Sequence, residues 1–211
     1  MKMNKNKIIV GSIIGGIVIG VAMIYFYKKS KQGSNIKSIL FIGDSNTASN
    51  FSYADQIKKS FPDINIKKIA KVGEKTDWMK SQLDNELKKN KYDVVAILGG
   101  SNDIYALGKT DNTKRNLNAM YDLIHSKGSK VLAVTPPNKD YYVNRTEAKQ
   151  KLLFDLVDWM KKNKNIDYLV DFHKITSDKK YFSASDGYLH ANILAHNELA
   201  DKTKDKLKLY V

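Results

Sequence analysis

Four short stretches of the chain place residues capable of acyl chemistry where the backbone bends. Gly43-Asp44-Ser45 offers a hydroxyl, Val72-Gly73-Glu74 a glycine backbone, and Gly100-Ser101-Asn102-Asp103 a side-chain amide. Asp186-Gly187-Tyr188-Leu189-His190 offers an imidazole with a carboxylate four residues before it. A serine hydroxyl is a poor nucleophile until a base takes its proton. Imidazole suits that task because its ordinary pKa lies near neutrality. The oxyanion formed when a hydroxyl adds to a carbonyl needs fixed N–H donors. A glycine backbone, which lets a ligand approach closely, and an asparagine amide can supply them. Together these types can move an acyl group from an ester to water through a covalent intermediate.

Little else in the sequence competes with that chemistry. There is no cysteine, which excludes disulfides, thiolate metal sites and a cysteine nucleophile. The histidines are His125, His173, His190 and His196, and no pair has the spacing of a zinc-protease helix, so no metal or cofactor is expected. His125 follows an apolar helix face and reads as structural, His196 inside the last helix reads as a surface or packing residue, and His173, just past the fifth strand, is the rival base. Asp44 and Asp103 read as braces for their loops. Thr47 stands where the second glycine of a GxSxG elbow would be, which argues against the larger α/β-hydrolase fold.

Elements with a clear apolar pattern must bring these stretches together. Residues 38–42 and 92–98 are short apolar runs that predict buried strands, and residues 64–72 alternate as a strand does. Residues 130–135, stopped by Pro136-Pro137, and residues 166–172 complete five strands. Helical spacing covers residues 51–61, 76–89, 112–126, 145–162 and 191–209, with Trp78, Met79, Leu83 and Leu87 along one face of the second. Strands that alternate with helices predict an α/β fold with a parallel sheet, because parallel strands need crossover connections. The expected architecture is a three-layer α/β/α sandwich around a five-stranded sheet. In such folds ligands sit beyond the carboxyl ends of the strands. The first three stretches follow predicted strands one, two and three, and the fourth precedes the last helix.

The set resembles the SGNH hydrolases, also called GDSL esterases and lipases. Their four blocks centre on the serine of GDS, a glycine, the asparagine of GxND and the histidine of a DxxH segment. The resemblance covers residues 36–208 and implies a flavodoxin-like strand order, 2-1-3-4-5. It implies Ser45 as nucleophile, His190 as general base, and an oxyanion hole made by the Ser45 and Gly73 N–H groups and the Asn102 amide. One departure stands out: the family has Asp-x-x-His, whereas Asp186 lies four residues before His190 and the position three before is Gly187, which cannot orient an imidazole. Asp186 still serves if the extra residue bulges outward. Otherwise Asp171 or a backbone carbonyl takes the role, or the site is weak. The resemblance thus implies a serine esterase acting on acetylated glycans or lipid-type esters. The alternatives are a catalytically silent module that binds a glycan or a partner, and an O-acyltransferase of the same fold.

The N-terminal region has a different character. Residues 8–27 are twenty residues without a charge, which as a helix would span roughly 30 Å, the thickness of a bilayer core. The run ends in the bulky Met23-Ile24-Tyr25-Phe26-Tyr27, unlike the small residues of a signal-peptide cleavage site. The expected organisation is a short basic tail at 1–7, a transmembrane anchor at 8–27, a basic and polar linker at 28–35 and the hydrolase-like domain at 36–211. Gly11, Gly15, Gly16 and Gly20 give small-xxx-small spacings that permit helix-mediated self-association. Lysines flank both ends of the span, so the positive-inside rule nearly ties and the extracytoplasmic side is favoured only slightly. The formal charge is +14, and residues 1–32 hold six lysines and no acid, so 14 − 6 leaves +8 for the rest. Such a surface draws anionic partners, but no nucleic-acid motif accompanies it and no nucleic acid is expected.

Overall fold

A computed structural model describes residues 35–209. The transmembrane anchor read over residues 8–27, with the tail before it and nearly all of the linker after it, lies outside the described residues. Among the described residues no helix is long and apolar enough to cross a membrane.

Five strands, β1 (Ser38–Gly43), β2 (Asn65–Ala70), β3 (Val94–Leu98), β4 (Lys130–Val134) and β5 (Tyr168–Val170), form one sheet in the order 2-1-3-4-5, with every pairing parallel. Between and after them run α1 (Ser45–Ala48), α2 (Tyr53–Ser60), α3 (Thr76–Leu87), α4 (Ser101–Leu107), α5 (Asp111–Ser126), α6 (Glu147–Lys162), α7 (Phe172–Ile175) and α8 (Ile193–Leu207). Two 3-10 turns, Lys179–Tyr181 and Ala184–Asp186, lie between α7 and α8.

The three layers follow from the two-residue period of a strand. Ile39 and Phe41 of β1, with Val94, Ala96 and Leu98 of β3, pack against Tyr53, Ala54 and Ile57 of α2 and Ala195 and Leu199 of α8. Leu40 and Ile42, with Val95 and Ile97, pack on the opposite side against α3, α5 and α6. All five residues of β3 are buried, as expected for the middle of a parallel sheet covered on both faces. Each such side chain contributes roughly 1.5–3 kcal/mol of burial. The core therefore holds the carboxyl ends of β1 and β3 in fixed register, Gly43 beside Leu98.

Several predicted boundaries give way to capping side chains. The first predicted helix begins only at Tyr53, because Ser52 Oγ accepts from the Asp55 N–H. The last begins at Ile193 rather than residue 191, because the Asn192 side chain accepts from Leu194 and Ala195 and Ala191 pairs with Phe182 in an antiparallel bridge. Strand five is shorter than predicted because Asp171 accepts from the Lys174 N–H and turns the chain into α7. Helix α4, which starts at Ser101, has no counterpart among the predicted helices; Gly100 at φ 110° turns the chain sharply off β3 into it.

Candidate active site

The nucleophile candidate sits at a crowded turn. Gly43 ends β1 where a Cβ would lie 2.2 Å from Thr47 Oγ1 and 2.7 Å from the Leu98 carbonyl oxygen, so only glycine fits. Asp44, 1% exposed, caps α1 by accepting from the Asn46 N–H at 3.0 Å, and burial raises its pKa. Ser45 is then the first residue of α1, where the N–H has no acceptor within the helix.

The enlarged segment resolves into a compact turn. Asp186 ends the second 3-10 turn, and Gly187 and Tyr188 follow at φ 69° and 62°. Two successive left-handed residues take up the extra length and turn the chain back on itself. The Asp186 carboxylate accepts from the Leu189 N–H at 3.1 Å and from the His190 N–H at 3.2 Å. Its Oδ2 also lies 2.7 Å from His190 Nδ1. On the other side of the ring, His190 Nε2 lies 3.0 Å from Ser45 Oγ. A carboxylate accepts and does not donate, so Nδ1 carries the proton and Nε2 is free to accept from the Ser45 hydroxyl. That arrangement can draw the proton off Ser45 and hold the resulting imidazolium beside an anion.

The other candidates lie in different settings. Asp171 pairs with Lys161 at 2.8 Å and caps α7, and the Lys161 ammonium with that cap holds its carboxyl below the usual range against the opposing effect of burial. His173 is buried edge-on against Phe154, with ring centroids 5.0 Å apart, and burial lowers its pKa. His125 bonds Asp167 at 2.8 Å on the surface. His196 is fully buried among Phe51, Tyr53 and Phe172, and burial pushes its pKa down to about 4, so it stays neutral. Asp103 braces the neighbouring loop, accepting from Thr76 Oγ1 at 2.5 Å and from the Thr76 N–H at 3.1 Å.

Ser45, Asp186 and His190 are thus brought together, and they line a cavity of about 740 Å³. Asn102 Nδ2 donates to the Glu74 carbonyl at 2.9 Å, tying the start of α4 to the residue after Gly73. Val72, the neighbour of Gly73, lines the cavity. The family model for GDSL-like lipases and acylhydrolases matches residues 41–197, well over half the chain. The chain belongs to the GDSL-like lipase/acylhydrolase family. It is a carboxylic ester hydrolase of that family, and its sheet order is the one the resemblance implied.

Solved structures of other GDSL-type proteins share the fold of this hydrolase. A lipolytic G-D-S-L family member from Veillonella parvula is 16% identical, with 82% of this chain and 99% of that one covered at a TM-score of 0.71. The lipase/acylhydrolase from Enterococcus faecalis is 23% identical, with 82% and 95% covered at 0.67. A catalytic mutant of an acetylxylan esterase from Geobacillus stearothermophilus is 17% identical, with 85% and 97% covered at 0.66. No curated protein matches the chain in sequence.

Sequence reasoning passes over part of this cavity. Phe51, Val72 and Ile193 line the cavity and are exposed, so its wall is largely apolar. They stand on three separate segments, and nothing in their spacing signals a shared pocket. Lys139 escapes it too. A lysine in a loop after two prolines reads as solvated, yet Lys139 is 3% exposed and its ammonium donates to the Leu189 carbonyl beside His190.

Proposed function

We propose that the protein is a serine esterase in which Ser45 attacks the ester carbonyl, His190 takes its proton, and Asp186 orients the imidazole. Addition of Oγ to the carbonyl carbon gives a tetrahedral oxyanion. Collapse breaks the bond to the alcohol, which leaves with the proton held by His190. Water then attacks the acyl-enzyme, losing a proton to His190, and the second collapse breaks the bond to Ser45 Oγ, which takes that proton back as the acid leaves. The oxyanion is received by the N–H groups of Ser45 and Gly73 and by the second N–H of the Asn102 amide. The contacts of 3.0 and 2.7 Å along Ser45–His190–Asp186 carry this reading. They favour it over a silent binding module, because a glycan-binding surface has no use for an activated hydroxyl.

The apolar wall of Phe51, Val72 and Ile193 supports a lipid-type ester ahead of an acetylated glycan, the substrate class that the Geobacillus neighbour's name carries. The test uses a fluorophosphonate label on the full-length chain in detergent, with turnover measured on p-nitrophenyl esters of increasing acyl length. Wild type is expected to gain one phosphonyl adduct on Ser45, Ser45→Ala none, and kcat/KM to rise from acetate to longer acyl chains. An unlabelled wild type would sink the esterase reading. A preference for acetate would move the substrate to acetylated sugars, and acyl transfer to an added sugar alcohol would make the enzyme a transferase.

Residues 8–27 form a single-pass anchor that holds the domain at a membrane surface. Twenty uncharged residues flanked by lysines support it. The full chain is expected to stay with the membrane pellet through an alkaline carbonate wash, and its release into the supernatant would remove the anchor.

A further inference from the structure

The turn that carries His190 is one residue longer than the resemblance implies, and a longer turn needs something to hold its shape. Two bonds reach it from the segment after β4. The Val143 N–H donates to the Gly187 carbonyl at 3.1 Å. Lys139 Nζ donates to the Leu189 carbonyl. That carbonyl and the His190 N–H belong to the same peptide unit, and the N–H donates to Asp186 Oδ2 at 3.2 Å. The peptide from which the His190 side chain departs is therefore held at one end by a cation and at the other by an anion. Its plane sets where the imidazole begins.

The ammonium sits in an expensive place. Taking a lysine charge out of water is costly unless it is paired, and a buried lysine readily sheds its proton. Burial pushes Lys139 down to about 8, with Asp44 and Asp186 opposing that shift. Asp44 approaches from the turn between β1 and α1, and Asp186 from the 3-10 turn before His190. Within its own segment, the Tyr142 ring lies 5.7 Å from Nζ, and the adjacent Asp140 carboxylate is engaged by Gln150 Nε2 at 2.6 Å.

We propose that Lys139 is a positioning residue whose buried ammonium fixes the Leu189–His190 peptide and balances the carboxylates of Asp44 and Asp186. This rests on the reading of His190 as the base. While Lys139 is charged, the ring stays aligned between Ser45 and Asp186. Once it loses its proton, the site holds two carboxylates without their cation and a more weakly held carbonyl.

The full-length enzyme, Lys139→Met and Lys139→Arg are compared by kcat/KM on a short ester from pH 6 to 10, with thermal unfolding as a check on folding. Wild type is expected to lose activity above pH 8 as Lys139 deprotonates. Lys139→Met keeps the aliphatic stem without the charge, and its kcat should fall about 10²-fold, the cost of a misplacement near 1 Å, with KM little changed and no limb near pH 8. Lys139→Arg stays charged throughout, so its activity should recover in part and hold beyond pH 9. A wild-type profile flat to pH 9.5 overturns the proposal without any variant. So does a limb near pH 8 that survives in either variant. An inactive, unlabelled wild type would instead remove the esterase reading on which the proposal rests, so the two failures are distinguishable.

Discussion

Ser45→Ala, His190→Ala and the double substitution are expected to lower kcat by the same amount, about 10⁶-fold. In the proposed mechanism the hydroxyl and the imidazole, 3.0 Å apart, act as one device, so removing either disables both. If they contributed independently, the double variant would lose the product of the two effects. All three variants should keep a residual rate about 10³–10⁴ above water, supplied by substrate binding and the oxyanion donors. Adding Asn102→Ala to Ser45→Ala should then erode that residue of activity, because it removes a proposed oxyanion donor without touching the proton path. Single-turnover and steady-state rates on one soluble ester decide the matter. A His190→Ala enzyme that kept a tenth of wild-type kcat would take the imidazole out of the proton path. It would leave the 740 Å³ cavity to be explained some other way.

The legible part of this molecule is the part governed by short-range rules. The run of residues 92–98, followed by two glycines, reads as a covered strand, and the structure buries all of Val94–Leu98. The turn at Gly43-Asp44-Ser45 is legible because glycine, a capping carboxylate and a hydroxyl answer to local backbone needs. What escapes depends on partners far away in the chain. Lys139 reads as a solvated loop residue until Asp44, ninety-five positions earlier, and Asp186 and Leu189, some fifty later, close around it. His196 looks like a helix residue with no special place, yet the aromatic rings of Phe51, Tyr53 and Phe172 enclose it. The spacing of Asp186 and His190 is visibly one residue too long in the sequence. The remedy for it, two left-handed residues in succession, is not written in the residue types, since Tyr188 is an unusual occupant of positive φ.

Asp186→Asn is expected to cost about 10⁴-fold in kcat near neutral pH, with the fold retained and Ser45 still open to the cavity. The carboxylate does two jobs. It accepts from the Leu189 and His190 N–H groups, which shapes the turn, and it accepts from His190 Nδ1, which fixes the tautomer. An asparagine keeps one accepting oxygen for the turn but can present an N–H to Nδ1. The ring then carries its proton on Nε2, the atom that must accept from Ser45, and the base is lost while its position is preserved. Asp186→Ala should fare differently, because it frees the tautomer while loosening the turn through two amides at once. A larger loss of kcat in Asp186→Asn with a small drop in Tm, against a smaller loss of kcat with a larger drop in Tm in Asp186→Ala, would separate the electronic job from the structural one. Asp186→Asn within tenfold of wild type would mean that the carboxylate does not set the proton's place. The brace from Lys139 and Val143 would then be what aligns the ring, and the added residue would have moved control of the histidine from its own acid to the neighbouring loop.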